Sequence, residues 1–276
     1  MSALKNIVRD CLPQALIRWI RDVRGLGVSF EGVYASWEEA SADCAGYDAD
    51  EILAKVQTAT LKVKNGDAVY ERDSVLFDEI EYSWPVLACL MWVAARSAGK
   101  LSVLDFGGSL GSCFFQYRKF LQYLPELRWN VVEQLHFVIA GRNHFQDELL
   151  RFYKTTSECL SENQPNVILM SSVLQYLSDP YSVLQELLSL NVSVFVIDRT
   201  CYLNHGDNDL IRVQHVPDSL YQANYPCRFF VENNVFNVFR ANGFKLMESF
   251  NSLDKLCKEA SWKGQIFIRD TLSPID

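Results

Sequence analysis

Residues 101–112 read Leu101-Ser-Val-Leu-Asp-Phe-Gly-Gly-Ser-Leu-Gly-Ser112. A short apolar run ends in Asp105, and Gly107, Gly108 and Gly111 follow at once. The pattern predicts a strand, a tight glycine turn and then a helix from residue 112. In open α/β sheets this junction is where nucleotide-like ligands bind, because glycine lets the backbone approach the ligand closely. The spacing departs from G-x-G-x-x-G, and the acid lies on the first strand itself, so the stretch disfavours a dinucleotide site.

The residues after this stretch alternate between apolar runs and helical patterns, which favours a mostly parallel sheet. The predicted strands span 101–106, 129–133, 151–154, 166–171 and 193–198. The predicted helices lie near 112–124, 135–147, 173–189 and 231–242. A late antiparallel hairpin is expected from 244–250 and 264–269. The fold class indicated is α/β and Rossmann-like, with a parallel sheet closed by that hairpin.

The residues that precede the sheet are predicted to be mainly helical. We divide the chain into an amphipathic helix over 1–27, a helical cap over 28–98 and a sheet domain over 99–276. Ser36 and Glu39 have the spacing of a capping box. Residues 4–24 place apolar side chains at helical spacing, with basic side chains on the other faces. We weigh two interpretations of that helix: docking on the protein's own core, and peripheral contact with the inner membrane face.

Composition excludes several classes of function. Among 276 residues the formal net charge is −8, so no global basic surface for nucleic acid is expected. The eight cysteines form no Cys-x-x-Cys pair, so no metal site is predicted. No apolar run reaches the length of a membrane span, and charged residues interrupt any signal-peptide core. These observations favour a cytoplasmic location.

Three groups of residues are candidates for ligand binding. The acid and the glycines of the first turn come first. Glu133 ends the second predicted strand, where a carboxylate can accept hydrogen bonds from both hydroxyls of a ribose. Ser171 and Ser172 follow the buried strand 166–171 and lie at the same carboxyl edge of the sheet.

Candidates for proton transfer lie at that edge or in the chain that follows it. Asp198 ends the fifth predicted strand, and Tyr176 leads the helix after the fourth. Residues 199–230 are expected to form a long irregular segment, of the kind that often binds substrate. Within it, His215 is the histidine we select as a base, because imidazole titrates near neutral pH.

Several runs resemble a bacterial family of class I S-adenosylmethionine (SAM)-dependent methyltransferases that is associated with surface-polysaccharide gene sets. They are Phe30-Glu-Gly-Val-Tyr34, Tyr70-Glu-Arg-Asp-Ser74, Tyr82-Ser-Trp-Pro85, Asp105-Phe-Gly-Gly108, Trp129 to Glu133, Ser171 to Tyr176, Ile197-Asp-Arg-Thr200 and Gln214-His-Val-Pro217. The resemblance implies SAM as cofactor, with Asp105, Gly107, Gly108, Gly111 and Glu133 beside it. The resemblance indicates little about the methyl acceptor and identifies no catalytic base. Our own hypothesis is a small-molecule or sugar-linked acceptor.

Three alternatives stay open on the sequence. A fold of this kind could bind SAM or another nucleoside without catalysis, since no acid–base pair is evident. A nicotinamide-dependent, sugar-modifying enzyme is disfavoured by the glycine spacing and by the acid on the first strand. A membrane-attached scaffold would rely on residues 4–24. The acceptor, the methylated atom and the oligomeric state do not follow from the sequence.

Overall fold

The computed structural model describes residues 28–44, 49–216, 223–254 and 259–271. The chain forms two compact units, one from residues 1–48 and 211–227 and the other from 49–210 and 228–276. The predicted helix over 4–24 lies outside the described residues. None of the helices that the structure describes is long and apolar enough to cross a membrane.

Helices and strands alternate along the chain. The first half contains β1 (Ser29–Tyr34), α1 (Trp37–Ala42), α2 (Ala49–Asn65), β2 (Tyr70–Arg72), β3 (Val75–Phe77), α3 (Trp84–Arg96), β4 (Lys100–Phe106), α4 (Ser112–Leu121), β5 (Glu126–Val132), α5 (Leu135–His144) and β6 (Leu150–Tyr153). The second half contains α6 (Thr156–Glu162), β7 (Val167–Ser171), a 3₁₀ turn (Leu174–Tyr176), α7 (Pro180–Leu188), β8 (Val194–Leu203), β9 (Leu210–Val216), β10 (Ala223–Phe229), α8 (Glu232–Ala241), β11 (Phe244–Asn251) and β12 (Ala260–Arg269).

The larger unit contains a seven-stranded sheet in the order β6-β5-β4-β7-β8-β12-β11. Strands β6, β5, β4, β7 and β8 pair in parallel, and β12 pairs antiparallel with both β8 and β11. This is the strand order of the class I methyltransferase fold, so the predicted fold class is confirmed. The order reverses beside β4, and in open α/β sheets ligands bind outside the carboxyl ends of the strands at such a point.

One face of the sheet is closed by aromatic packing. Phe195 of β8 is fully buried and makes edge-to-face contacts with Phe239 of α8 and Phe244 of β11, with ring centroids 5.7 and 5.2 Å apart. Phe239 also stacks on Phe267 of β12 at 3.8 Å. Aromatic pairs at these separations add to the free energy of burying their area. The late hairpin is therefore held to the parallel strands through its core side chains as well as through its backbone.

The structure corrects several details of the sequence prediction. Residues 199–230 are not a long irregular segment, because β8 continues to Leu203 and β9 and β10 follow. Helix α6 was not among the predicted helices. The helix predicted over 173–189 is a 3₁₀ turn followed by α7, because Asp179 caps a new helix through Ser182 N–H and Pro180 occupies its first turn.

The region predicted to be a helical cap contains helices α1, α2 and α3, but also the short strands β1, β2 and β3. Half of the predicted capping box is present, because Ser36 Oγ accepts a hydrogen bond from Glu39 N–H at 3.1 Å. Glu39 Oε2 accepts instead from Ala35 N–H, at 2.8 Å. Strand β1 belongs to a three-stranded sheet of order β1-β9-β10. The division at residue 98 stays a prediction, since the two compact units divide the chain at other positions.

Replacing Phe195 with alanine tests the aromatic face. We expect F195A to lower the free energy of unfolding by about 3–5 kcal/mol, because a large cavity opens between β8, α8 and β11. Urea titration followed by circular dichroism measures this. The control Y123A changes a side chain that is 82% exposed and should stay within about 0.5 kcal/mol of the wild type. Equal losses in both variants would contradict the packing described here.

Candidate functional site

The glycine turn between β4 and α4 is tight at each of its glycines. Gly107 has φ +70° and Gly111 has φ +90°, which glycine adopts without strain. A Cβ on Gly107 would overlap Val173, and a Cβ on Gly111 would lie 3.0 Å from Leu150. Helix α4 begins here with no side chain capping its N-terminus. The turn therefore exposes backbone N–H groups at the positive end of a helix dipole.

Asp105 lies under this turn and is fully buried. Its Oδ2 accepts a hydrogen bond from Trp129 Nε1 at 2.8 Å, and its Oδ1 has no hydrogen-bond partner among the described residues. A Cβ on Gly108 would overlap this carboxyl group. Burial raises the pKa of Asp105 to about 7, although the indole N–H lowers it and Glu133 raises it further. A buried oxygen without a partner can accept a hydrogen bond from a ligand's donor group.

Glu133 follows β5 and faces the same turn. The backbone N–H of Gln134 donates to its Oε2 at 2.6 Å. The backbone N–H of Ser109 is close enough to lower the pKa of the Glu133 carboxyl group. Desolvation raises the pKa of Glu133, against the lowering effect of those two N–H groups. Ser109 itself has φ +54°, in the left-handed region that non-glycine residues rarely adopt. Glu133 therefore lies beside the glycine turn, and its role in binding a ribose stays a prediction.

Ser171 and Ser172 lie at the carboxyl end of β7, as predicted. Burial and the nearby carboxylates Asp105 and Asp198 raise the pKa of the Cys113 thiol, and the side chain of Ser171 lies close enough to lower it. Ser172 has φ +57°, and its N–H donates to the carbonyl oxygen of Asp198 at 2.9 Å. These contacts join the end of β7 to the start of α4 and to β8.

Asp198 lies where the parallel pairing of β7 with β8 ends. Only 4% of it is exposed, and its Oδ1 has no hydrogen-bond partner within the described part of the chain. Burial raises the pKa of Asp198 to about 6, while the neighbouring Arg199 lowers it. The carboxyl group can therefore exchange a proton near neutral pH.

Arg199 has φ +55° and turns its side chain toward two other carboxylates. Its Nε donates to Asp254 Oδ2 at 2.7 Å, and its Nη1 donates to Asp73 Oδ1 at 3.4 Å. Asp73 and Ser74 form the turn of the β2–β3 hairpin, with φ of +52° and +66°. The guanidinium group thus joins this hairpin and the β11–β12 connection to the middle of β8.

Glu71 of β2 is a site residue that the sequence analysis missed. It is 2% exposed, and its Oε1 accepts a hydrogen bond from Ser112 Oγ at the start of α4. Its Oε2 has no hydrogen-bond partner among the described residues. Burial raises the pKa of Glu71 to about 7. The one available signal was the Asp73-Ser74 pair, since such residues favour turns, but nothing local indicates that Glu71 is buried.

The other two candidates for proton transfer have weaker support. Tyr176 ends the 3₁₀ turn after β7 and is half-buried. His215 belongs to the smaller unit, where it opposes Ser29 across the β1–β9 ladder and its Nε2 lies 3.8 Å from Glu31 Oε2. The structure brings Asp105, Glu133 and Asp198 to one sheet edge. His215 stays a prediction.

No family model matches the sequence, and no curated protein matches it. Solved structures of methyltransferases are similar in shape. The Burkholderia thailandensis 1,6-didemethyltoxoflavin-N1-methyltransferase has 15% identity and a TM-score of 0.44, with 82% of this chain and 92% of that chain covered. Magnesium protoporphyrin IX methyltransferase from Synechocystis PCC 6803 has 11% identity and a TM-score of 0.44, with 82% and 99% covered. An amino pentose methyltransferase from Micromonospora echinaspora has 10% identity and a TM-score of 0.42, with 68% and 92% covered. The fold assigned above rests on the strand order of the large sheet and not on these likenesses.

The raised pKa of Asp105 predicts a pH dependence of stability. Because the folded value, about 7, exceeds the ordinary value near 4, folding takes up a proton between these pH values. This contribution to stability is complete below pH 4 and is lost as pH rises to 7. We expect D105N to gain stability over the wild type by on the order of 3 kcal/mol between pH 4 and pH 8.

Urea titration at several pH values measures that difference. The matched control is D207N, which changes an exposed aspartate and should keep the free energy of unfolding within about 0.5 kcal/mol of the wild type. A D105N curve parallel to the wild-type curve would contradict a raised pKa at Asp105.

Proposed function

We propose that the protein is a SAM-dependent methyltransferase that acts on a small-molecule or sugar-linked acceptor. The observation that carries the proposal is the buried Asp105 carboxyl group, which has an unpartnered oxygen under a tight glycine turn where the strand order reverses. A nucleoside ligand with amino and hydroxyl donors suits such an acceptor. A turn that could not hold a Cβ leaves its backbone free for close approach.

The residues around the turn fit an adenosyl cofactor. Glu133 would accept hydrogen bonds from the two ribose hydroxyls, and Asp105 would accept one from a donor group of the ligand. The uncapped N-terminus of α4 suits the carboxylate of an amino acid moiety. Ser171 and Ser172 would border the same ligand at the end of β7. These roles are those that the resemblance implied for the glycine turn and Glu133.

When bound, SAM supplies a methyl group that is already activated for transfer. This chain's residues would then align the acceptor and exclude water from the carboxyl edge. An oxygen acceptor also needs a group that takes its proton. Asp198 suits that role best, because its unpartnered Oδ1 and its pKa of about 6 leave it able to accept a proton at neutral pH. Tyr176 and His215 remain the alternatives.

The biological setting is a further part of this proposal. The resemblance supports a bacterial protein that modifies a surface polysaccharide or its precursor. A cytoplasmic location suits the cysteine thiols that form no disulfide among the described residues, such as Cys89 and Cys159. Residues 4–24 would provide peripheral contact at the inner membrane face if the precursor is lipid-linked.

Calorimetric titration with SAM and S-adenosylhomocysteine tests cofactor binding. We expect both ligands to saturate the wild type. E133Q should weaken the affinity for both ligands roughly tenfold to hundredfold, because hydrogen bonds to a charged group are lost. The matched control is E126Q, which removes an exposed carboxylate paired with Lys100 at 3.2 Å and should bind as the wild type does.

No adenosyl binding to folded wild type would refute the proposal. Binding without methyl transfer to any hydroxyl- or amine-bearing acceptor in a broad screen would favour the alternative, a non-catalytic SAM-binding module. Retention of a nicotinamide cofactor instead would favour the sugar-modifying enzyme.

A further inference from the structure

The β2–β3 hairpin brings a buried acid to the start of α4. Glu71 lies on β2, and its Oε1 accepts a hydrogen bond from the hydroxyl group of Ser112, the first residue of the helix after the glycine turn. Its other oxygen is buried without a hydrogen-bond partner in the described residues. Leaving such a group unpaired costs free energy, so its retention calls for an explanation.

The hairpin is fixed in place from two sides. Ser112 holds Glu71, and Arg199 holds Asp73 in the turn that follows it. The turn contains two non-glycine residues with positive φ, which is a strained conformation that the surrounding contacts must maintain. Glu71 is therefore positioned rigidly between the glycine turn and the middle of β8.

The cations nearby do not neutralise this edge. Arg199 pairs with two carboxylates, Asp73 and Asp254, and Arg72 lies 3.6 Å from Glu81. Asp105 and Asp198 are buried at the same edge, and each has an unpartnered oxygen. Arg199 and Arg72 still lower the pKa of nearby carboxyl groups, but carboxyl groups outnumber these two guanidinium groups at this edge of the described structure.

We propose that Glu71 is the residue that selects the positively charged form of the cofactor, by placing its carboxylate opposite the sulfonium centre. This inference rests on the proposed function. SAM carries a positive charge at sulfur that its product, S-adenosylhomocysteine, has lost. A buried carboxylate attracts the first and not the second. Glu71 therefore strengthens binding before methyl transfer and favours release of the product afterwards.

The protonation state of Glu71 supports this role. Its pKa is about 7, raised by desolvation and by Asp73 and lowered by Ser112, Ser74 and Arg199. A cation that binds beside the carboxyl group lowers that pKa, so SAM should displace a proton at pH 7. Because the group is about half protonated there, the expected release is up to about half a proton per SAM bound.

Titration calorimetry of the full chain with SAM and with S-adenosylhomocysteine tests the inference. We expect E71Q to weaken the affinity for SAM at least roughly tenfold at pH 7. We expect the same variant to change the affinity for S-adenosylhomocysteine less than about twofold. Repeating the wild-type titration at pH 7 in phosphate and in Tris should show more proton release with SAM than with S-adenosylhomocysteine. E71Q should lose that excess.

Two further variants keep the result interpretable. E71D retains the charge and should retain most of the preference for SAM. E81Q changes the nearby carboxylate that pairs with Arg72 and should leave both affinities unchanged. Retained binding of S-adenosylhomocysteine shows that each variant is folded.

An E71Q protein that keeps the wild-type ratio of the two affinities overturns the role of Glu71, while wild-type binding still supports the proposed function. A wild type that binds neither ligand overturns both.

Discussion

The buried carboxyl group of Asp105 is the constraint on which the candidate site depends. It ends the first strand of the sheet, receives the indole N–H of Trp129 from the adjacent strand and supports the glycine turn from below. Because the turn lies directly over the carboxyl group, no room exists for a side chain at Gly108. The position of α4, and therefore of the helix N-terminus, follows from that contact.

A second set of charges, formed by Arg199, Asp73 and Asp254, holds the β2–β3 hairpin beside β8. Arg199 lies in β8, yet its side chain reaches Asp73 in the β2–β3 hairpin and Asp254 in the connection between β11 and β12. Ion pairs of this kind contribute modestly where one partner is exposed. Their main consequence is geometric, because they place Glu71 beside the helix that begins at Ser112.

Local patterns predicted most of the large sheet. The apolar runs, the glycines and the alternation of strands and helices are properties of short segments, and such segments decide strand identity and the parallel arrangement. Strands β9 and β10 escaped prediction because polar residues interrupt the apolar residues of β9, and because β10 contains Pro226, which disfavours a strand. The apolar pattern over 173–189 was compatible with one continuous helix or with a helix that begins at residue 180. The cap at Asp179 decides for the second.

The sequence by itself determined the class of fold and the ligand edge, since Asp105, Gly107, Gly108 and Glu133 follow strands whose carboxyl ends must meet. Tertiary structure alone decided which acidic side chains are buried away from water with an oxygen that has no hydrogen-bond partner among the described residues. Burial of Glu71 and Asp198, and the raised pKa of each, arise from atoms that are distant along the chain. No local pattern encodes that desolvation, because it depends on the packing of the hairpin, the helix and the sheet together.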